Sequence, residues 1–154
     1  MSRKIKYYLE TSVPSMYYSE DAVEKQIITK EFFKNMNFTQ NEYYISNVVA
    51  LEIQNAGEPR RSRLRNLLNN YELIMLEETS ETTELTEKYV KAGVVPVKYR
   101  LDAVHISIAV VNRIDFIVSW NMQHIVKTNT RYKVNSINKE LNYPVIDICT
   151  PEEV

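Results

Sequence analysis

The chain has 154 residues, enough for one domain with a real hydrophobic core, and its 44% apolar and 25% charged residues match an ordinary globular composition. A net charge of −1 gives no overall basic field, so a polyanionic partner must be met by a local patch. One cysteine, Cys149, rules out an internal disulfide, and two glycines, Gly57 and Gly93, leave no room for a GxGxxG or GxxxxGK[ST] phosphate loop.

In chain order, the opening MSRKIKYYLE lacks a leader-like apolar core, and no later run is long enough to span a membrane, which points to a cytoplasmic protein. Residues 5–9 (IKYYL) read as a strand, followed by the turn-like TSVPS. Over residues 21–36, Val23 and Ile27, then Ile28, Phe32 and Met36, recur four apart and predict a helix. A second strand spans 42–45, and Ser46 or Asn47 caps a helix that runs through VVALEIQNA to Gly57. Pro59 opens another helix, RRSRLRNLLNN. A third strand covers 72–76, and a helix covers 79–92 and stops at Gly93. Residues 101–114 (LDAVHISIAVVNRI) have almost no polar face, so they form a central, buried helix. A fourth strand at 115–118, a helix near 136–141 and a fifth strand at 144–148 complete the alternation. Alternating strands and helices define one α/β domain over residues 1–154, with a mostly parallel sheet whose ligands gather at the carboxyl ends of the strands.

Four polar residues map to that rim. Glu10 ends strand one, and Asn121 stands just past strand four. Asp102 opens the most apolar helix, where it also suits an N-terminal cap. Glu52 interrupts VVALEI and faces either solvent or a polar cavity, because a Glu is seldom buried unpaired. Carboxylates that converge in a pocket repel one another, and a divalent cation removes that cost. Oxygen ligands select hard ions, Mg²⁺ or Mn²⁺, whose coordinated water can attack a phosphodiester. The two histidines, His105 and His124, lie near the same region. His105 also fits a hydrogen-bonded core residue.

The succession LETSV, ISNVVALEI and LDAVHISIAVVNRIDFIVSWNMQHI resembles the PIN domain family over essentially the whole chain, and is similar to small VapC-like toxins of toxin–antitoxin pairs. The resemblance implies a three-layer α/β/α sandwich around a five-stranded parallel sheet. It also implies a metal-dependent ribonuclease with a partner antitoxin and self-association into a homodimer. The family's acids fall on Glu10, Glu52 and Asp102, and its fourth acidic position is Asn121. Ser119 takes its hydroxyl position, with Thr11 and Ser12 beside the first acid and His105 and His124 behind the ligands. Two departures stand out: Glu10 is one methylene longer than the usual Asp, and Asn121 lacks a charge.

An RNA substrate needs a basic rim around such a site. The candidates are Arg60 and Arg61 in RRSRLR, which equally suits a solvated helix face, and Lys98 and Arg100, just before Asp102. The competing readings are a DNA nuclease or phosphatase with the same acidic site, and a PIN-like domain that binds RNA or protein without cutting.

Overall fold

A computed structural model describes residues 3–154 of the chain. The elements run β1 (Lys6–Leu9), α1 (Ser12–Met16), α2 (Val23–Met36), β2 (Glu42–Ser46), α3 (Asn47–Gln54), α4 (Arg60–Asn69), β3 (Ile74–Leu76) and α5 (Ser80–Lys91), then α6 (Arg100–Val111), β4 (Phe116–Val118), α7 (Thr128–Glu140) and β5 (Asp147–Cys149). Short 3₁₀ turns at Val97–Tyr99 and Pro151–Glu153 precede α6 and follow β5. The sheet order is β3-β2-β1-β4-β5 and every pairing is parallel, where the sequence left room for an exception. From central β1 the chain winds outward to β3, then returns to the other side of β1. The reversal opens a crevice between the carboxyl ends of β1 and β4, the position where such sheets receive ligands.

Alternation along β1 assigns the two faces. The Tyr7 ring stacks against Tyr43 and Phe116, each with centroids 5.4 Å apart, and Phe32 of α2 meets Tyr43 edge-on. Tyr8 points the other way, toward α6. Residues 103–110 of α6 are all buried, which explains a helix with no polar face. Its internal hydroxyl is satisfied: Ser107 donates to the Ala103 carbonyl and accepts from Thr86 of α5. Tyr89 of α5 in turn donates to Asn138 of α7. Helices α5, α6 and α7 thus cover one face and α2 the other, giving an α/β/α sandwich.

Three of these helices end alike. Gly93, Arg113 and Asn142 have φ of 73°, 56° and 62° and follow α5, α6 and α7. At each end the next residue's amide reaches back to the helix's third-last carbonyl, at Tyr89, Ala109 and Asn138. Glycine reaches that conformation freely, while Arg and Asn pay a small steric cost.

The sequence reading differs from the fold at several boundaries. TSVPS is the start of α1, with Pro14 in the first turn, where its missing N–H removes no bond. The third strand shrinks to Ile74–Leu76, and the fifth shifts to Asp147–Cys149. α7 begins at Thr128, eight residues before the expected start at 136, because TNTRYK shows little apolar periodicity. The outer edge of β5 is occupied by α7 side chains. Asn135 donates to the Ile146 carbonyl and accepts from its amide, while Arg131 donates to the Ile148 carbonyl. Cys149 is buried as its neighbours suggested, and burial pushes its thiol pKa up to about 12.

The turn after β4 is anchored from α2 by Trp120, whose Nε1–H donates to Thr29 Oγ1 at 2.9 Å. Thr29→Val keeps the shape and strands that buried N–H. Urea unfolding of the variant should show a loss of about 1–3 kcal/mol.

Candidate functional site

Glu10 follows β1, and its amide donates to the Val118 carbonyl at 3.1 Å, continuing the β1–β4 pairing by one residue. Its side chain is only 6% exposed. The carboxylate is solvated by protein: Oε1 accepts from the Ser12 and Ser119 hydroxyls at 2.5 and 2.6 Å, and Oε2 accepts from the Ser12 amide at 3.1 Å. Those hydroxyls are themselves fixed. Ser12 Oγ accepts from the Trp120 amide at 2.8 Å, and Ser119 Oγ from the Asn121 amide at 2.9 Å. The α1 start and the β4 turn are therefore tied together through one carboxylate.

Asp102, in the first turn of α6, faces the same crevice. Burial, followed by the charge of Glu10, raises its carboxyl pKa above the ordinary 3.8, against the opposing influence of His105, His124 and the Asn121 amide. Its Oδ2 is buried and has no hydrogen-bond partner among the described residues. Asn121 is partly turned inward, with Oδ1 accepting from the His124 amide at 3.1 Å.

Glu52 makes a different set of contacts. Its Oε1 accepts from Thr11 Oγ1 at 2.8 Å and from the Nε2–H of His105 at 2.7 Å. The other ring nitrogen of His105 lies 2.6 Å from the Tyr8 hydroxyl, which lies 2.8 Å from Ser46 Oγ. Ser46 also caps α3, the helix that carries Glu52, by accepting from the Val49 amide. The chain of hydrogen bonds thus closes on the element that starts it. Partial burial disfavours ionisation of Glu52, but the hydrogen bond and charge of His105 and the Thr11 hydroxyl outweigh it and hold the carboxyl below 4.5. Full burial opposes protonation of His105, yet Glu52's hydrogen bond and the charges of Glu10, Glu52 and Asp102 lift it above 6.5.

At the mouth, the His124 ring stacks on Tyr99 with centroids 4.2 Å apart. The basic candidates separate into engaged and unengaged groups. Arg61 is ion-paired to Glu58, Arg65 donates to Gln54, and Arg100 is ion-paired to Glu87. Among the described residues, Arg60, Arg63 and Lys98 have no ion pair. Arg60 and Arg63 line a groove of about 430 Å³ that includes Ser12 and Tyr18.

The sequence reading did not place Tyr8, Ser46 or Tyr99 at the site. The only signal for Tyr8 was its place on the α6-facing side of β1. Ser46 was legible as a cap, and Tyr99 was one of eleven tyrosines with no distinguishing spacing.

No protein-family model matches the chain, and no curated protein matches its sequence. Among solved structures, it is similar to a chain in the crystal structure of VapBC2 from Rickettsia felis bound to a DNA fragment from their promoter. The TM-score is 0.54 at 13% identity, over 95% of this chain and 98% of that one. The fold is PIN-like. At that identity the likeness concerns architecture alone; the crevice between β1 and β4 is where Glu10, Asp102, Ser119 and Asn121 come together.

Among the described residues no group of three or more His, Cys, Asp or Glu side chains forms a ready-made ion cage. The fit to a divalent ion rests instead on the Glu10–Asp102 pair and the unpartnered Asp102 oxygen. This donor set suits Mg²⁺, which binds through one or two carboxylates and keeps several waters.

The Glu52–His105 pair sets a pH window. A carboxyl held below 4.5 contributes stability that is full above 4.5 and is lost as pH falls through the depressed value. An imidazole lifted above 6.5 contributes stability that is full below 6.5 and is lost as pH rises through the raised value. The wild-type advantage over His105→Asn, measured by chemical denaturation, should therefore be larger near about pH 5.5 than near about pH 8.5.

Proposed function

We propose that the protein is a metal-dependent endoribonuclease that hydrolyses RNA phosphodiester bonds, acting in the cytoplasm as the toxin of a toxin–antitoxin pair. The observation that carries this reading is the buried, unpartnered Asp102 oxygen beside the protein-solvated Glu10 carboxylate, at the reversal point of the sheet. Two like charges in a half-buried crevice destabilise each other, and a cation would remove that penalty.

Glu10 and Asp102 would hold a Mg²⁺ or Mn²⁺ ion, hard metals that prefer oxygen donors. Bound there, the ion supplies a lowered water pKa and charge stabilisation for the phosphodiester under attack. The chain's own residues do the positioning. Ser12 and Ser119 hold Glu10 in one rotamer, so the carboxylate does not reorganise when substrate arrives. This cradle also addresses the extra methylene of Glu10, since three donors define where its carboxylate ends. Asn121 would contribute its side-chain amide toward water or substrate, while the buried Ser119 acts through Glu10, to which its hydroxyl donates. Glu52, kept ionised by His105 and Thr11, adds negative potential to the crevice.

The likeness in fold to a chain of the VapBC2 structure supports an antitoxin-like protein partner, which would cover the crevice. Self-association is supported by the exposed Val23, Ile27 and Phe38 near a groove of about 760 Å³, and sedimentation would measure it. One observation favours a second reading, a PIN-like binding domain without cleavage: Asn121 Oδ1 already accepts from the His124 amide. Incubating labelled RNA and DNA with the protein in Mg²⁺, Mn²⁺ or EDTA separates the readings. Metal-dependent RNA cleavage supports the ribonuclease, and bound but intact RNA in every condition supports the binding domain.

Asp102→Asn should lower cleavage by about 10²-fold or more. The same variant, without metal, should melt at a higher temperature than wild type, because it removes the like-charge contact with Glu10. A purified Asp102→Asn protein that cuts RNA at the wild-type rate sinks the assignment.

Of the arginines in RRSRLR, Arg60 and Arg63 make no ion pair and no side-chain hydrogen bond among the described residues, and they share their groove with Glu20 and Asp21. Each one replaced by Ala should flatten the slope of log affinity against log salt by about 0.7, while Arg61→Ala, already neutralised by Glu58, leaves it unchanged.

A further inference from the structure

A second groove runs along the border of the sheet at β5, outside the crevice between β1 and β4. Helix α7 forms one wall through Thr128, Tyr132, Ser136 and Lys139, which recur at helical spacing. Residues 142–147 form the other wall, and the space between is about 960 Å³. Tyr132 is 73% exposed and Val145 78%, with Pro144 beside it, so the walls turn apolar surface to solvent. Three cations line the groove, Arg113, Arg131 and Lys139, against one carboxylate, Asp147. Arg131 is spent on the Ile148 carbonyl, and the Tyr143 hydroxyl on Glu81 of α5. Arg113 and Lys139 make no ion pair and no side-chain hydrogen bond among the described residues. Arg113 follows α6 and Lys139 lies in the last turn of α7, so both stand at the amino end of the sheet. Arg113 keeps a φ of 56°, where glycine would close α6 at lower cost. The floor is closed to strand pairing, because Asn135 donates to the Ile146 carbonyl and accepts from its amide.

We propose that this groove is the docking surface for an acidic segment of a partner protein, one that carries an apolar side chain between its carboxylates. The proposal stands apart from the ribonuclease reading and does not depend on it. Arg113 and Lys139 meet the carboxylates, and the exposed Tyr132, Pro144 and Val145 take the apolar side chain, which leaves water on docking. Charge alone would also admit a nucleic-acid backbone, and the apolar walls decide against it. A phosphate track gains nothing from covering Pro144 and Val145. Its affinity scales with the number of cations that meet it, and in this groove Arg113 and Lys139 alone are free. Arg113, Pro144 and Val145 also line an adjoining groove of about 570 Å³, which adds Lys4 and Lys6 against Glu42 and an Asp115 already paired with Arg3. A longer acidic segment continues there. With the β5 edge occupied, the segment is held by its side chains rather than as an added strand. The free charges lie at the opposite end of the sheet from Glu10 and Asp102, so the segment docks without covering the crevice.

The probe is a short synthetic peptide, blocked at both ends, with Glu and Asp on either side of a Leu-Phe pair. It is titrated into the isotope-labelled full chain and followed by NMR. Amide signals should move at Arg113, over residues 132–139 and over residues 142–147, and stay still at Ser12, Ser119 and Asn121. Arg113→Gly and Lys139→Ala should each weaken binding by about 2- to 5-fold, the worth of an exposed ion pair, and added salt should weaken wild-type binding in the same direction. Arg113→Gly suits the positive φ, so it removes the charge without straining the turn, and its melting temperature is the folding control. Val145→Ser should weaken binding with every charge intact. A peptide with Gln and Asn in place of the acids should not bind, and an acidic peptide with Gly in place of Leu-Phe should bind less tightly. A single-stranded oligonucleotide of equal charge should hold the groove less tightly than the peptide. The proposal is overturned if the peptide leaves the groove amides unmoved or moves the crevice amides instead. It is equally overturned if the uncharged peptide binds as well, if folded Arg113→Gly and Lys139→Ala both bind like wild type, or if the oligonucleotide takes the groove more tightly.

Discussion

A carboxylate at the end of a central strand cannot be left to water, because the sheet buries it. Glu10 therefore has to be solvated by the protein, and the surroundings of the crevice follow from that need. Ser12 donates twice because α1 begins there, with its free amide and its hydroxyl both directed at the carboxylate. Ser119 donates because β4 pairs with β1 in a register that brings Val118 beside Leu9. Trp120 is tied down because its amide is spent on Ser12 and its indole on Thr29. Loss of that carboxylate would release the start of α1 from the turn after β4.

The second acid is held by a different logic. Glu52 forms an ion pair with a buried histidine that is braced by Tyr8 and Ser46. Since Ser46 also caps the helix bearing Glu52, the orientation of α3 and the position of His105 are one constraint. The site thus combines one half that is rigid and fully paired with another, around Asp102, that carries an unpaired oxygen. A buried polar atom left unsatisfied at a sheet's reversal point marks a place where stability has been given up, and such places are commonly functional.

Much of this was legible in the sequence. The strand–helix alternation gave the α/β class, and the all-apolar run after Asp102 gave the buried α6, because both signals depend on local periodicity. The rim positions of Glu10 and Asn121 followed from strand ends, and that of Asp102 from the start of its helix. The boundaries that moved lie where periodicity is silent, as in the polar first half of α7, or where a strand is only three residues long, as in β3 and β5. The partners of Glu52 were hidden for another reason: Tyr8, Ser46 and His105 are 38 to 97 residues apart in sequence and meet only through the sheet. The division of the arginines into paired and unpaired was likewise unreadable, because it turns on Glu58, Gln54 and Glu87, each ordinary by composition.

The two borders of the sheet are treated unequally. At β5, Asn135 and Arg131 already occupy backbone groups that an incoming chain would need. At β3, Ile74 and Met75 are exposed, and acidic residues Glu72, Glu77 and Glu78 flank a three-residue strand. Growth of the sheet is therefore one-directional: a sixth strand can dock only beside β3, and the negative flanks there repel another copy while admitting a basic segment.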